Sequence, residues 1–213
     1  GSNGYSGAED TYLNGWDSDR NTNFSTSQKY SLRIQEQAPL HSGVLRFDLS
    51  PQKSGLPAAA KIRHAVLNFR TTAYANNVLP LQLDALTRPW KAGEATWNRA
   101  SGASAWGSGG AEAVPEDRTG VILDERLIYP SSKITDRYGF DVTGLVQQWH
   151  ADPASNRGVL ARVDLLDGVW SSVRDGFSVA SSEYQLADRR PELTIIYTTA
   201  DYTPTPTSTA TPT

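Results

Sequence analysis

The sequence predicts an all-β protein, an antiparallel β-sandwich with one short helix. Two observations carry that prediction. Apolar residues recur at every second position in short runs separated by turn-forming residues, and only one stretch shows helical spacing instead. Many short strands at close spacing imply a sandwich or barrel. The 213 residues suit a single all-β domain, and an apolar share of 38% supplies a sizeable core.

The elements follow in chain order. In "SLRIQE", Leu32 and Ile34 share one face and Arg33 and Gln35 the other. "GVLRFDLS" sets Leu45, Phe47 and Leu49 inward against Arg46 and Asp48. "AVLNFRT" sets Leu67 and Phe69 against Asn68 and Arg70, and "LPLQLDAL" alternates Leu79, Leu81 and Leu83. The Gly/Ser/Ala-rich residues 101–116 read as a long surface loop. In "DVTGLVQQWH", Thr143 offers an N-cap, and Leu145, Val146 and Trp149 fall at helical spacing. This predicts a helix over 144–150 that plugs one end of the sandwich and is broken by Pro153 and Gly158. "GVLARV" and "ELTIIYTT" close the domain as strands. The boundaries are an N-terminal extension over 1–8, the sandwich over 9–198 and a Thr/Pro-rich linker or stalk over 199–213.

The net charge of -3 gives no basic footprint of the kind that marks a nucleic-acid binder. Cysteine is absent, so disulfides and thiolate metal sites are excluded. No apolar stretch approaches the ~18 residues of a membrane span, which argues against membrane insertion. With no methionine, the chain reads as processed or truncated, and "GSNG" as a tag remnant or a mature start.

Several residues invite a chemical reading, each set against a structural one. "WGSGG" around Ser108 loosely resembles a serine nucleophile loop, with His41, His64 and His150 as the available bases. It lacks the preceding aspartate, and serine is commonplace in such loops. Glu94, Glu183 and Asp141 are candidate glycosidase carboxylates, but bonding to Arg or backbone amides explains them as well, and no enzymatic activity is expected. Asp17, Asp19 and Asn21 present alternate oxygens that suit a structural calcium ion. The favoured reading is a polar turn whose side chains bond local amides. Asn23 opens an Asn-Phe-Ser sequon. Trp90, Trp97 and Trp149 read as packing, whereas Trp16, Trp106 and Trp170 are candidates for exposed contacts. Arg33, Arg46 and Arg70, at outward strand positions, and Tyr74 in the following loop are candidates for glycan binding. Arginine pairs carboxylate in two parallel bonds, and a tyrosine ring stacks on a sugar.

Six segments taken together resemble the DNRLRE-domain family, part of which is classed as carbohydrate-binding module family 96. They are "DTYLNG...NTNFSTSQKYSLRI", "GVLRFDLS", "PAAAKIRHAVLNFR", "TRPWKAGEATWN", "FDVTGLVQQW" and "VASSEYQLADRRPELTIIY". They stand in the family's order and cover residues 9–198. The Gly/Ser loop and "VDLLDGVWSSVRDGF" depart from the pattern. The resemblance implies a jelly-roll-like sandwich, secreted and non-catalytic, with some relatives binding acidic polysaccharide.

The closing "DYTPTPTSTATPT" cannot bury apolar surface and tends to an extended conformation. Thr203, Thr205, Thr207 and Thr209 suit O-glycosylation, so the segment reads as a spacer at the cell surface or outside the cell. Two functions follow. One is an extracellular module that binds polysaccharide. The other is a structural subunit of a fibre or sheath, in which an extended segment of one copy adds as a strand to the next.

Overall fold

A computed structural model describes residues 5–36, 38–73, 75–130, 136–164 and 174–199. The architecture is all-β and antiparallel, as the period-two patterning requires. The strands are β1 (Ala8–Asn14), β2 (Lys29–Gln35), β3 (Ala38–Phe47), β4 (Lys61–Ala73), β5 (Leu79–Leu86), β6 (Arg99–Ser101), β7 (Ser104–Ala105), β8 (Arg118–Ile128), β9 (Arg137–Asp141), β10 (Val159–Val163), β11 (Arg174–Ala180) and β12 (Glu192–Thr198). Two helices accompany them, α1 (Pro51–Ser54) and α2 (Thr143–Ala151), with 3-10 turns at Pro153–Ser155 and Ala187–Arg189.

Two long strands organise the sheet. β3 pairs along one edge with β1, from Ala8↔Phe47 to Asn14↔His41. Its other edge is divided, with His41 meeting Arg33 of β2 and Leu45 meeting Val159 of β10. β4 likewise carries β9 on one edge and β12 on the other, since Asn68 pairs with both Gly139 and Glu192. Its C-terminal end, Thr71 and Ala73, pairs with β11. The sheet order β12-β4-β11-β2-β3-β10-β5-β8 therefore curls back on itself. Its last strand reaches the first layer where the Asp141 N–H donates to Asp124 Oδ2 at 2.8 Å.

The main core lies between the two layers. Leu32, Ile34, Leu45, Phe47, Leu67, Phe69, Leu79, Leu81 and Leu83 all contribute, which matches the inward faces read from alternation. β5 departs from that reading: Pro80, Gln82 and Asp84 are buried too. Its second face is covered by polar pairing. The Asp84 carboxylate accepts from Arg118 Nη1 at 2.7 Å and Thr119 Oγ1 at 2.5 Å, while Gln82 bonds Arg162 and Glu125. Asn68, expected to face solvent, is buried between β9 and β12.

Residues 101–116 are not a simple surface loop. Together with 86–100 they build a second small core on the outer face of β1, β3 and β10, where Trp90, Ala95, Ala100, Trp106 and Ala111 pack on Leu13, Val44 and Leu160. The order comes from Asp117, which is 0% exposed. Its carboxylate accepts the backbone N–H groups of Gly107 at 2.9 Å, Ser108 at 3.0 Å and Ala113 at 3.2 Å, and also Arg88 Nε at 2.5 Å. Composition marks such a segment as loop, but one buried carboxylate with its amides satisfied is enough to fix it.

α2 exceeds the expected helix by one residue at each end, and Val146 and Trp149 are its buried side. Val142, not Thr143, is the N-cap residue. Asp141 Oδ1 takes the Thr143 N–H at 2.9 Å, which leaves the Thr143 hydroxyl to accept the Ala65 N–H of β4 at 2.9 Å. The short α1 and the 3-10 turns had no periodic signal, being one turn or less.

Phe47→Ala and Leu67→Ala each remove a buried side chain from the main core. Either change lowers unfolding free energy by about 2–5 kcal/mol in a urea titration. A loss under about 0.5 kcal/mol would place these residues outside the core.

Candidate functional site

The proposed glycan-binding arginines do not share one face. Arg46 on β3 is ion-paired with Glu9 and lies 5.5 Å over the Trp90 ring, beside a small polar cleft shared with Asp48 and Arg157. Arg70 on β4 donates from Nε to the Asp188 carbonyl at 3.1 Å. Arg33 on β2 donates from Nε to Ser31 Oγ at 3.0 Å and stands across from His41. The alternation that marks a position as outward carries no information on which strands are neighbours, so three correct outward positions fall in three places. Tyr74 lies outside the described residues, as do Trp170 and the glycosylation candidates Thr203, Thr205, Thr207 and Thr209.

Around Arg33 the structure gathers aromatic and cationic side chains from four segments. Tyr12 of β1 stacks on Phe24 with ring centroids 4.3 Å apart. The His41 ring lies 6.0 Å from Tyr12 and 6.2 Å from Trp16. Trp16, in the turn after β1, is 37% exposed, and the Arg174 guanidinium of β11 sits 4.6 Å over its ring. Arg174 is opposite Gln35 in the β2–β11 pair, one step along the face from Arg33 opposite Gly176. Register thus brings two arginines and an exposed indole together. Trp16 was legible as an exposed aromatic. Arg174 was not, because it lies inside "VDLLDGVWSSVRDGF", a segment not read as a strand, where it opens β11.

His41 is only 4% exposed, and neither ring nitrogen has a hydrogen-bond partner among the described residues. Burial, with the nearby Arg33 charge, lowers its pKa to about 4. The imidazole is therefore neutral at pH 7, an uncharged ring tilted against Trp16 and Tyr12.

The Asp17–Asn21 turn sends its oxygens to different partners. Asp17 pairs with Arg20 at 3.2 Å, Asp19 accepts from Asn14 Nδ2 at 3.0 Å, and Asn21 accepts from Asn98 Nδ2 at 3.0 Å. These partners are side chains and not the local backbone amides of a polar turn, and no cluster of three or more metal-binding His, Asp or Glu residues occurs among the described residues. Asn23 is equally committed. Its Nδ2 donates to the carbonyls of Ala92 at 2.6 Å and Ala95 at 2.7 Å, and its Oδ1 accepts from Ser25 Oγ at 2.7 Å.

The candidate acids each have a local neighbour. Glu94 accepts the Gly102 N–H at 2.7 Å and pairs with Lys91 at 3.0 Å; that amide first, then the lysine, lowers its pKa. The Asp141 carboxyl is lowered by Thr143. Glu183 accepts from Ser182 Oγ at 3.4 Å. Trp90 and Trp149 are buried and Trp97 half-buried, as expected, whereas Trp106 is 6% exposed. The indole N–H of Trp106 donates to the Thr96 carbonyl at 2.9 Å, so this residue is part of the second core and not a surface contact.

A larger cleft, about 450 Å³, opens elsewhere, between Tyr5, Phe47 and Leu56 on one side and Leu193, Ile195 and Tyr197 of β12 on the other. No protein-family model and no curated protein matches the chain.

Two outcomes are expected. Asp17→Ala changes stability by less than about 0.5 kcal/mol, and neither calcium nor chelator moves the melting temperature. A calcium-dependent rise abolished by Asp17→Ala would mean that the three oxygens converge on an ion. For His41, the folded pKa is depressed, so the unfolded chain binds the proton more readily. Stability should fall as pH drops from about 6.5 toward 4, by on the order of 2–3 kcal/mol. His41→Gln removes that component; identical pH profiles for both proteins would show that His41 does not titrate in this window.

Proposed function

We propose that this chain is a non-catalytic extracellular module that binds acidic polysaccharide through the face formed by Arg33, Arg174, Trp16 and Tyr12. The observation that carries the reading is the Arg174 guanidinium lying 4.6 Å over the exposed Trp16 ring, next to Arg33 across the β2–β11 pair. Guanidinium forks pair with uronate carboxylates, and the open side of an indole or phenol ring accepts the flat face of a pyranose. The Trp16 ring holds Arg174 in position before a ligand arrives, which lowers the ordering cost of binding. The six segments similar to the DNRLRE family and the Thr/Pro-rich end support an extracellular glycan-facing role. The face replaces the Arg46 and Arg70 part of the earlier expectation, since those two side chains stand apart from Arg33.

Calorimetric titration with alginate, pectate and a neutral glucan at two salt concentrations tests this. Acidic polymers bind, affinity falls as salt rises, and Arg33→Ala or Arg174→Ala weakens binding about tenfold each. Binding to neutral glucan that ignores salt and both substitutions would reject the charged face. Absence of binding to every glycan would reject the module reading altogether.

A further inference from the structure

β12 is paired on one edge only. It runs against β4 from Glu192↔Asn68 to Thr198↔Lys61, and among the described residues no strand meets its other edge. Which backbone groups face that open edge can be read from β4. The Thr71 N–H donates to Asp136 O at 3.1 Å, and the Val142 N–H donates to Ala65 O at 3.0 Å. The Ala65 N–H in turn donates to Thr143 Oγ1 at 2.9 Å. Ala65 and Thr71, and the odd-numbered residues between them, therefore turn their polar groups toward β9. The even-numbered Asn68, Val66 and His64 turn theirs toward β12, opposite Glu192, Thr194 and Ile196. Bonded and non-bonded pairs alternate in an antiparallel ladder. Leu193 and Ile195, and Tyr197 in the same alternation, thus direct N–H and C=O outward.

The edge carries none of the usual blocks to further pairing. There is no Pro, Gly, Lys or Arg from Glu192 to Thr198. The irregularity in the β4–β12 pair places its extra residue, Arg63, on β4 and leaves β12 straight. β8, at the far end of the strand order from β12, differs. Its Gly120 N–H and Thr119 hydroxyl turn back onto Asp84 within a register shift, which twists that edge away. β12 also shows apolar surface on both sides, Ile196 at 56% exposure and Tyr197 at 40%, the latter beside the 450 Å³ cleft.

We propose that β12 pairs with β12 of a second copy, antiparallel about a two-fold axis at Ile195. In this register Ile195 faces Ile195 of the other copy, and Leu193 faces Tyr197. These are the residues whose polar groups point outward, so every bonded position is filled from both sides. Between them, Thr194 meets Ile196, and Glu192 meets Thr198. The strand's one charged side chain falls opposite a hydroxyl and never opposite itself. Leu193 and Tyr197 of the second copy continue the apolar wall of the cleft. Because the contact is isologous it closes at two copies, giving a dimer and not a fibre. It is one strand wide, so the dimer belongs to the weak, concentration-dependent class.

Sedimentation equilibrium and amide hydrogen exchange on the full 213-residue chain test the proposal. The chain is expected to pass from monomer to dimer and no further. The Thr194 and Ile196 amides exchange slowly at every concentration, while those of Leu193 and Ile195 slow only as the dimer forms. Tyr197→Lys places a charge opposite Leu193 and raises the dimer dissociation constant roughly tenfold or more, with Tyr197→Phe and an unchanged melting transition as folding controls. Three results would overturn it. A monomer with fast exchange at Leu193 and Ile195 leaves the edge open. Concentration-independent protection there means that this chain's own residues beyond Thr199 cover the edge. Growth past the dimer means head-to-tail assembly.

Discussion

The structure depends on how two long strands share their backbone hydrogen bonds. A buried strand must satisfy the polar groups on both edges. β3 and β4 each do so with one continuous partner on one edge and two successive partners on the other. Where the partner changes, the sheet forks, and one branch becomes the opposite layer. β3 makes its change at His41 to Gly43, between the β2 and β10 pairings. Gly43 suits that place, because a Cβ there would meet the Tyr30 ring at 3.0 Å. The main core, the face around Trp16 and the open edge of β12 all follow from this division.

Buried aspartates do for the loops what the ladder does for the strands. Asp117 gathers the 107–113 segment, Asp84 gathers 118–120, and Asp175 takes the amides of Asn76 and Asn77. Burial pushes the Asp175 carboxyl up, and the Asn76, Gly176 and Asn77 hydrogen bonds together bring it below the usual range. Asp10 goes the other way: burial raises it, and the Ser182 N–H at 2.6 Å offsets only part of that cost. A carboxylate that accepts several N–H groups is stabilised as an anion and rigidifies the loop it holds, whereas one short of donors is held at a cost.

Period-two patterning identified the core strands because it is a local signal, and Leu32, Leu45, Leu67 and Leu81 all fall inside. The same signal fails where burial has a non-local cause. Gln82 and Asp84 are covered by residues about 35 to 80 positions away, and Trp106 is enclosed by a carboxylate eleven residues on. The candidate face was half legible. Arg33 and Trp16 stood out singly, but their proximity is a matter of strand order. Arg174 joins them only through its pairing with β2. Arg46 and Arg70 were read correctly as outward and gave no hint of lying elsewhere.

The Asn23 side chain ties these levels together. Its amide nitrogen is the clasp between the turn after β1 and the outer core, donating to both Ala92 and Ala95. That nitrogen is also the atom a glycosyltransferase would modify in the Asn-Phe-Ser sequon. In a host that glycosylates asparagine, folding and modification would compete for one atom, and order in time would decide between them. Once the clasp has closed, the acceptor nitrogen is engaged with the two carbonyls. A sugar attached first would leave one carbonyl without its donor and wedge the outer core away from the sheet. In a host that modifies asparagine during translocation, the yield of correctly closed protein becomes a kinetic quantity, set by how quickly the segment around residue 95 emerges after the sequon.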